Sequence, residues 1–116
     1  IDWNHLHAMR EEIGTDDFED VLSLFLDECA QAVAQLSSEK PIETIAAQLH
    51  FIKGSAMNLG FAALSAHCAL AEHSLGSGLV RPEDLEMTRT VFRTSRNHLC
   101  AEKDERFAEI RRVSMA

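Results

Sequence analysis

The 116-residue chain carries 11 Lys and Arg against 19 Asp and Glu, a net charge of −8, and 46 % of its residues are apolar. That length fits one domain and excludes most multidomain enzymes. The acidic balance argues against a grip on a nucleic-acid backbone, and no run of roughly 18 apolar residues is present to span a bilayer.

The chain opens at Ile1 with no basic, apolar-cored leader. This leaves open a free-standing protein or a module of a longer one. Cys29, Cys68 and Cys100 form no CxxC or zinc spacing, and their number is odd. Reduced, mostly buried thiols in a cytoplasmic protein are therefore expected.

Five helices account for the hydrophobic pattern, and no hairpin signal argues for strands. The first runs from about Asp2 to Ile13, with Asp2 as its cap and Gly14 as its stop. The second starts near Thr15 or Asp16, whose side chains suit an N-cap. Its stripe is Phe18, Val21, Leu22, Phe25, Leu26, Cys29, Ala32, Val33 and Leu36.

Pro41 starts the third helix, where a missing N–H costs nothing. Its seam is Ile45, Leu49, Ile52, Ala56 and Leu59, and Gly60 interrupts it. The fourth carries Phe61, Leu64, Cys68, Ala71 and Leu75 before Gly76-Ser77-Gly78. The fifth begins after Arg81-Pro82, where Glu83 and Asp84 suit a positive N-terminal end. It bears Leu85, Val91, Phe92, Leu99, Phe107 and Ile110, and its charge-rich later part is expected to fray or project.

Each stripe must be buried against another helix. Four long amphipathic helices with short links make an all-α, antiparallel four-helix bundle. The short first helix lies across one end as a lid, with Trp3 and Leu6 as its contacts. Residues 1–116 then form a single domain.

The third helix also carries the run His50-Phe51-Ile52-Lys53-Gly54-Ser55-Ala56-Met57-Asn58-Leu59-Gly60. At about 100° per residue, His50 points about 140° from the seam, Gly54 about 180° and Lys53 about 80°. The imidazole is thus on the solvent side, with the ammonium one turn on and displaced to one flank. Gly54 removes any side chain from the next turn beside His50.

A mid-helix glycine costs about 0.8–1 kcal/mol against alanine. Room for a macromolecule to bring a reactive group to His50 would repay it, as would a helix bend or a close helix contact. An exposed imidazole keeps a neutral, nucleophilic nitrogen near neutral pH. Lys53 could offset the charge of an arriving phosphoryl group. Solubility alone would also explain a solvent-facing His and Lys.

The run HFIKGSAMNLG resembles the phosphoacceptor motif of histidine-containing phosphotransfer (HPt) domains, roughly HxxKGxxxxxG. The match includes His50, Lys53, Gly54 and Gly60, and the order of helices is similar over nearly the whole chain. Cys68 and Leu70-Ala71-Glu72 also resemble the family's next helix.

The resemblance implies a phosphorelay intermediate. A ring nitrogen of His50, conventionally Nε2, would take a phosphoryl group from a receiver-domain aspartyl phosphate and pass it to another receiver aspartate. Lys53 would neutralise phosphoryl oxygens and Gly54 would permit close approach. The partners implied are response-regulator receiver domains and a hybrid sensor kinase, met by a monomer. The domain would bind no cofactor or metal, with Mg²⁺ supplied by the receiver, and would be a carrier and not an autonomous kinase.

Ala46, Ala47, Met57 and the outer surface of the fourth helix are the candidate docking contacts. Relatives often carry a further polar or basic residue near the histidine. Here the fourth helix offers Glu72 and His73 and no Lys or Arg from Phe61 to Val80, so neutralisation would rest on Lys53.

His5, His7, His67 and His98 read as structural or surface residues, and no Glu-x-x-His pair argues for a metal. The acidic run from Glu11 to Asp20 reads as a solvated face that could bias partner choice by repulsion. Two other readings compete: a degenerate adaptor that binds a receiver without accepting phosphate, and a kinase dimerisation domain that needs a second copy to close its bundle.

Overall fold

The first helix, α1 (Trp3–Ile13), begins where expected: the Asp2 side chain caps it by accepting from the His5 N–H at 3.1 Å. The computed structural model describes the backbone of residues 1–115 and the side chains of residues 1–108. Four longer helices follow: α2 (Thr15–Ala34), α3 (Ile42–Asn58), α4 (Ala62–Gly76) and α5 (Pro82–Met115). The residues are 83 % helical, with no strand among those described.

Helix α2 corrects one expectation. Thr15 is its first residue, Gly14 is the N-cap, and no side chain closes a capping bond. Gly14 turns the chain with φ of 101°, a left-handed value that a side chain resists. With that turn already made, neither Thr15 nor Asp16 is in capping position. Asp16 and Asp17 still place negative charge on the first turn, where the helix dipole favours it.

The four long helices form a closed ring in which α2 packs on α3, α3 on α4, α4 on α5, and α5 on α2. All five seam positions of α3, Ile45, Leu49, Ile52, Ala56 and Leu59, are fully buried. They meet Leu22 and Cys29 of α2, Leu64 and Cys68 of α4, and Phe92 and Leu99 of α5 in one core. Truncating a fully buried leucine such as Leu49 to alanine costs about 2–5 kcal/mol.

Helix α1 closes one end of the ring. Leu6 is fully buried, the Asp2 N–H donates to the Gly60 carbonyl at 2.7 Å, and His5 Nε2 donates to the Asn58 carbonyl at 2.9 Å. Trp3 meets Phe107 edge-on at 6.2 Å, and Arg106 lies over the Trp3 ring.

The later part of α5 therefore does not project where its side chains are described. Phe107 is buried against Trp3, His7 and Phe18, and Lys103 pairs with Glu19 at 2.7 Å. The charged residues there line the wet side of a helix whose apolar positions seat the lid. Ile110 lies outside the described side chains.

Candidate functional site

Helix α3 carries the candidate residues on one continuous helical scaffold. Its seam is sunk into the core, which turns the opposite face to solvent. His50 lies on that face, and 76 % of its side chain is exposed. Lys53 is displaced toward α4, as its angle from the seam requires, and is 27 % exposed.

Gly54 is in open space. A Cβ built there meets nothing within 4 Å, and its φ is not left-handed. A close helix contact is thereby removed as its explanation. Gly60, by contrast, has a structural role: its φ is 70°, and an added Cβ would lie 2.9 Å from the Asp2 carbonyl oxygen.

The main addition to the site comes from α4. Glu72 Oε2 accepts from Lys53 Nζ at 3.0 Å, and Glu72 Oε1 lies 3.7 Å from His50 Nδ1. That second oxygen is shielded from solvent and has no hydrogen-bond partner. The Glu72 side chain is 24 % exposed, so its charge is partly desolvated and held by a single cation.

Lys53 is thus not a free cation waiting beside His50. The sequence shows Glu72 on the fourth helix, but its contact with Lys53 depends on the register between α3 and α4. The available signal was its position four residues after Cys68, a seam residue whose thiol is fully buried. His73, the other polar residue of that stretch, is exposed.

Nδ1 faces the α4 carboxylate, which leaves Nε2, across the ring, pointing away from that contact. The site therefore offers an accessible nitrogen nucleophile, a carboxylate able to hold the opposite ring proton, and a cation able to move toward an incoming anion. Of the expected docking residues, Ala47 and Met57 are exposed while Ala46 is half-buried against the core. Leu70, on the outer surface of α4, is also exposed.

The remaining histidines have local partners. His67 Nε2 donates to the Asp84 carbonyl at 2.9 Å, which also accepts from buried Thr88 and ties α4 to α5. Burial holds His7 below the usual histidine range, with Arg10 adding to that effect. His98 is exposed, 3.9 Å from Glu102. Burial also pushes the Cys29 and Cys68 thiols up to about 12.

His50, exposed beside a cation, thus stands on a ring of four helices closed by a lid. The pattern of the Hpt domain family matches residues 20–112, and the chain belongs to that family. No curated protein and no solved structure matches it. Membership assigns a phosphotransfer role in two-component signalling, in which Hpt domains work with receiver domains as phosphocarrier modules. No helix among the described residues is long and apolar enough to cross a membrane.

Proposed function

We propose that residues 1–116 act as one phosphorelay domain, with His50 as the phosphoacceptor. The observation that carries this reading is His50 itself: exposed on a rigid helix, inside the family's motif, with Glu72 behind Nδ1 and bare Gly54 one turn on. The Nε2 lone pair forms the N–P bond as the P–O bond to the receiver's aspartyl group breaks. The bonding pair leaves on the receiver carboxylate, and the ring proton stays on Nδ1, facing Glu72.

Glu72 is a positioning residue in this step. By closing from 3.7 Å to hydrogen-bonding distance, its carboxylate would accept from Nδ1–H, fix the tautomer with a free Nε2 pair and favour the positive charge that develops on the ring. Lys53 exchanges Glu72 for the phosphoryl oxygens, a short movement for a flexible ammonium. Gly54 keeps the approach clear. Reversal of the same step hands the phosphoryl group to a second receiver.

Phosphoryl transfer depends on positioning and charge stabilisation more than on covalent machinery. A helix face supplies the positioning here. In this reading Mg²⁺ belongs to the receiver, where it offsets charge on the transferring group, and this chain binds no cofactor. The domain works as a cytoplasmic monomer between receivers, including that of a hybrid kinase. The ring of α2 to α5 within one chain supports that reading over a bundle completed by a second copy.

A pulse–chase experiment tests the proposal. A phosphorylated receiver is mixed with the domain in Mg²⁺, the donor is removed, and a second receiver is added. The expected result is label on the domain that then leaves for the second receiver. Stable binding of receivers with no label from active donors would instead identify an adaptor.

A further inference from the structure

Two methionines stand out on the surface, Met57 at 62 % exposure and Met87 at 50 %. Met9 packs against the core, and Met115 lies outside the described side chains. The two exposed methionines occupy different sides of the bundle. Met57 follows His50 by seven residues on α3. Seven residues are two helical turns to within about 20°, and about 10.5 Å along the axis, so both side chains leave the same face. Gly54 lies between them on that face and has no side chain. Met87 belongs to α5, which packs on α4 and α2 and stands across the ring from α3.

Nothing covers Met57. It borders a hollow of about 550 Å³ between the lid and the α3–α4 pair, where Asp2 and His5 form the lid side. The α4 side is built of Ala62, Ser65 and Ala66, which are too short to cover a methionine. On the other flank of His50, the groove of about 710 Å³ between α2 and α3 is lined by no sulfur-bearing residue. A stable protein contact covers about 800 Å² on each partner, a patch about 16 Å in radius. A receiver centred on His50 therefore covers Met57, whereas Met87, on the far side of the ring, stands outside the patch.

We propose that Met57 is an oxidation-sensitive site: a peroxide converts its thioether to the sulfoxide, which turns down transfer between receivers and His50. The proposal rests on the phosphorelay reading and adds a regulation of that same site. In the step with hydrogen peroxide, a sulfur lone pair attacks one peroxide oxygen as the O–O bond breaks and an S–O bond forms. The proton on the attached oxygen passes to the departing one, which leaves as water. The sulfur loses two electrons and the peroxide gains them. The product replaces a soft apolar contact with a polar oxygen that a docked partner must desolvate. His50, Lys53 and Glu72 are chemically unchanged. Methionine sulfoxide reductase, with a thiol as reductant, returns the thioether.

Cys100 is also exposed, so the test is made in a Cys100→Ser background. That protein and two derivatives, Met57→Leu and Met87→Leu, are each compared with themselves before and after hydrogen peroxide, with oxygen uptake mapped by mass spectrometry. Two donors are used: phosphoramidate, which needs no docked protein, and a panel of phosphorylated receiver domains. Oxidation is expected to slow receiver transfer about tenfold in the background protein and in Met87→Leu, and to leave the rate of Met57→Leu at its own starting value. Phosphoramidate labelling of His50 should be unchanged throughout, and methionine sulfoxide reductase should restore the receiver rate. Full receiver transfer by protein oxidised at Met57 would overturn the proposal, as would an equal loss in Met57→Leu. Both results leave the phosphorelay reading standing. Failure of unoxidised His50 to take label from either donor would overturn that reading itself.

Discussion

Replacing Gly54 by alanine is expected to stabilise the domain while beginning to impair it. Gly54 lies within α3, has no left-handed φ, and an added Cβ meets nothing within 4 Å. The helix gain is therefore unopposed, at about 0.8–1 kcal/mol. With an unfolding entropy of about 2.1 cal/mol/K per residue, a chain of 116 residues should melt about 4 °C higher. A neutral bulky residue, Gly54→Gln, keeps most of that gain. It also stands about 5–6 Å from His50 on the same face, where a receiver must come within bonding distance, and transfer should fall by about 100-fold or more. Thermal unfolding followed by circular dichroism reads the first effect, and single-turnover transfer from a phosphorylated receiver reads the second. A lower melting temperature for Gly54→Ala would refute the structural half of this reasoning. Wild-type transfer by Gly54→Gln would refute the access role of the glycine.

Glu72→Gln removes the charge that holds Lys53 and faces His50. Because about a quarter of each partner is exposed, the stability loss should be about 1 kcal/mol by urea titration. Transfer onto His50 should slow about tenfold, and an unchanged rate would remove Glu72 from the mechanism. Gly60→Ala forces a left-handed φ of 70° and a Cβ 2.9 Å from the Asp2 carbonyl oxygen, so about 2–4 kcal/mol should be lost and the melting temperature should drop by about 8–16 °C; an unchanged melt would refute the lid clamp. Cys29 and Cys68 are held neutral, their thiols pushed up to about 12 by burial, while unfolded thiols ionise near about 8.5. The unfolded state then binds fewer protons, so stability should be level below about pH 8.5 and fall above it. A urea midpoint that stays constant from about pH 7 to pH 10 would contradict this.

The bundle was legible because helical periodicity is a local property. The spacing of Ile45, Leu49, Ile52, Ala56 and Leu59 assigns one face of α3 to the core, and all five are fully buried. The same spacing turns His50 outward and Lys53 to a flank, as their exposures require. The association of Glu72 with both residues was not legible, because it depends on how far α4 slides along α3, which neither helix encodes alone. The stretch of α5 up to Phe107 was misread for a related reason. Its charge density describes the wet face, whereas Phe107 meets Trp3, His7 and Phe18 from two other helices. The α2 cap was misplaced because Gly14 makes the turn by backbone conformation and leaves Thr15 inside the helix.

The groove between α2 and α3 also lay beyond periodicity. Ala46 and Ala47 are neighbours in sequence, yet the first packs against the core and the second opens onto the α2–α3 groove. About 100° of helical rotation separates them, whereas the groove itself is set by how α2 packs on α3.

Site mapping of the phosphoryl group tests the central claim most directly. Wild type and His50→Gln are incubated with phosphorylated receiver domains and Mg²⁺, then digested and analysed by mass spectrometry under basic conditions. The substitution lies on an exposed side chain, so the fold should change by no more than about 0.5 kcal/mol. The account predicts acid-labile, base-stable phosphate on His50 of the wild type and none on the folded variant. Acid-labile phosphate retained by His50→Gln would contradict it.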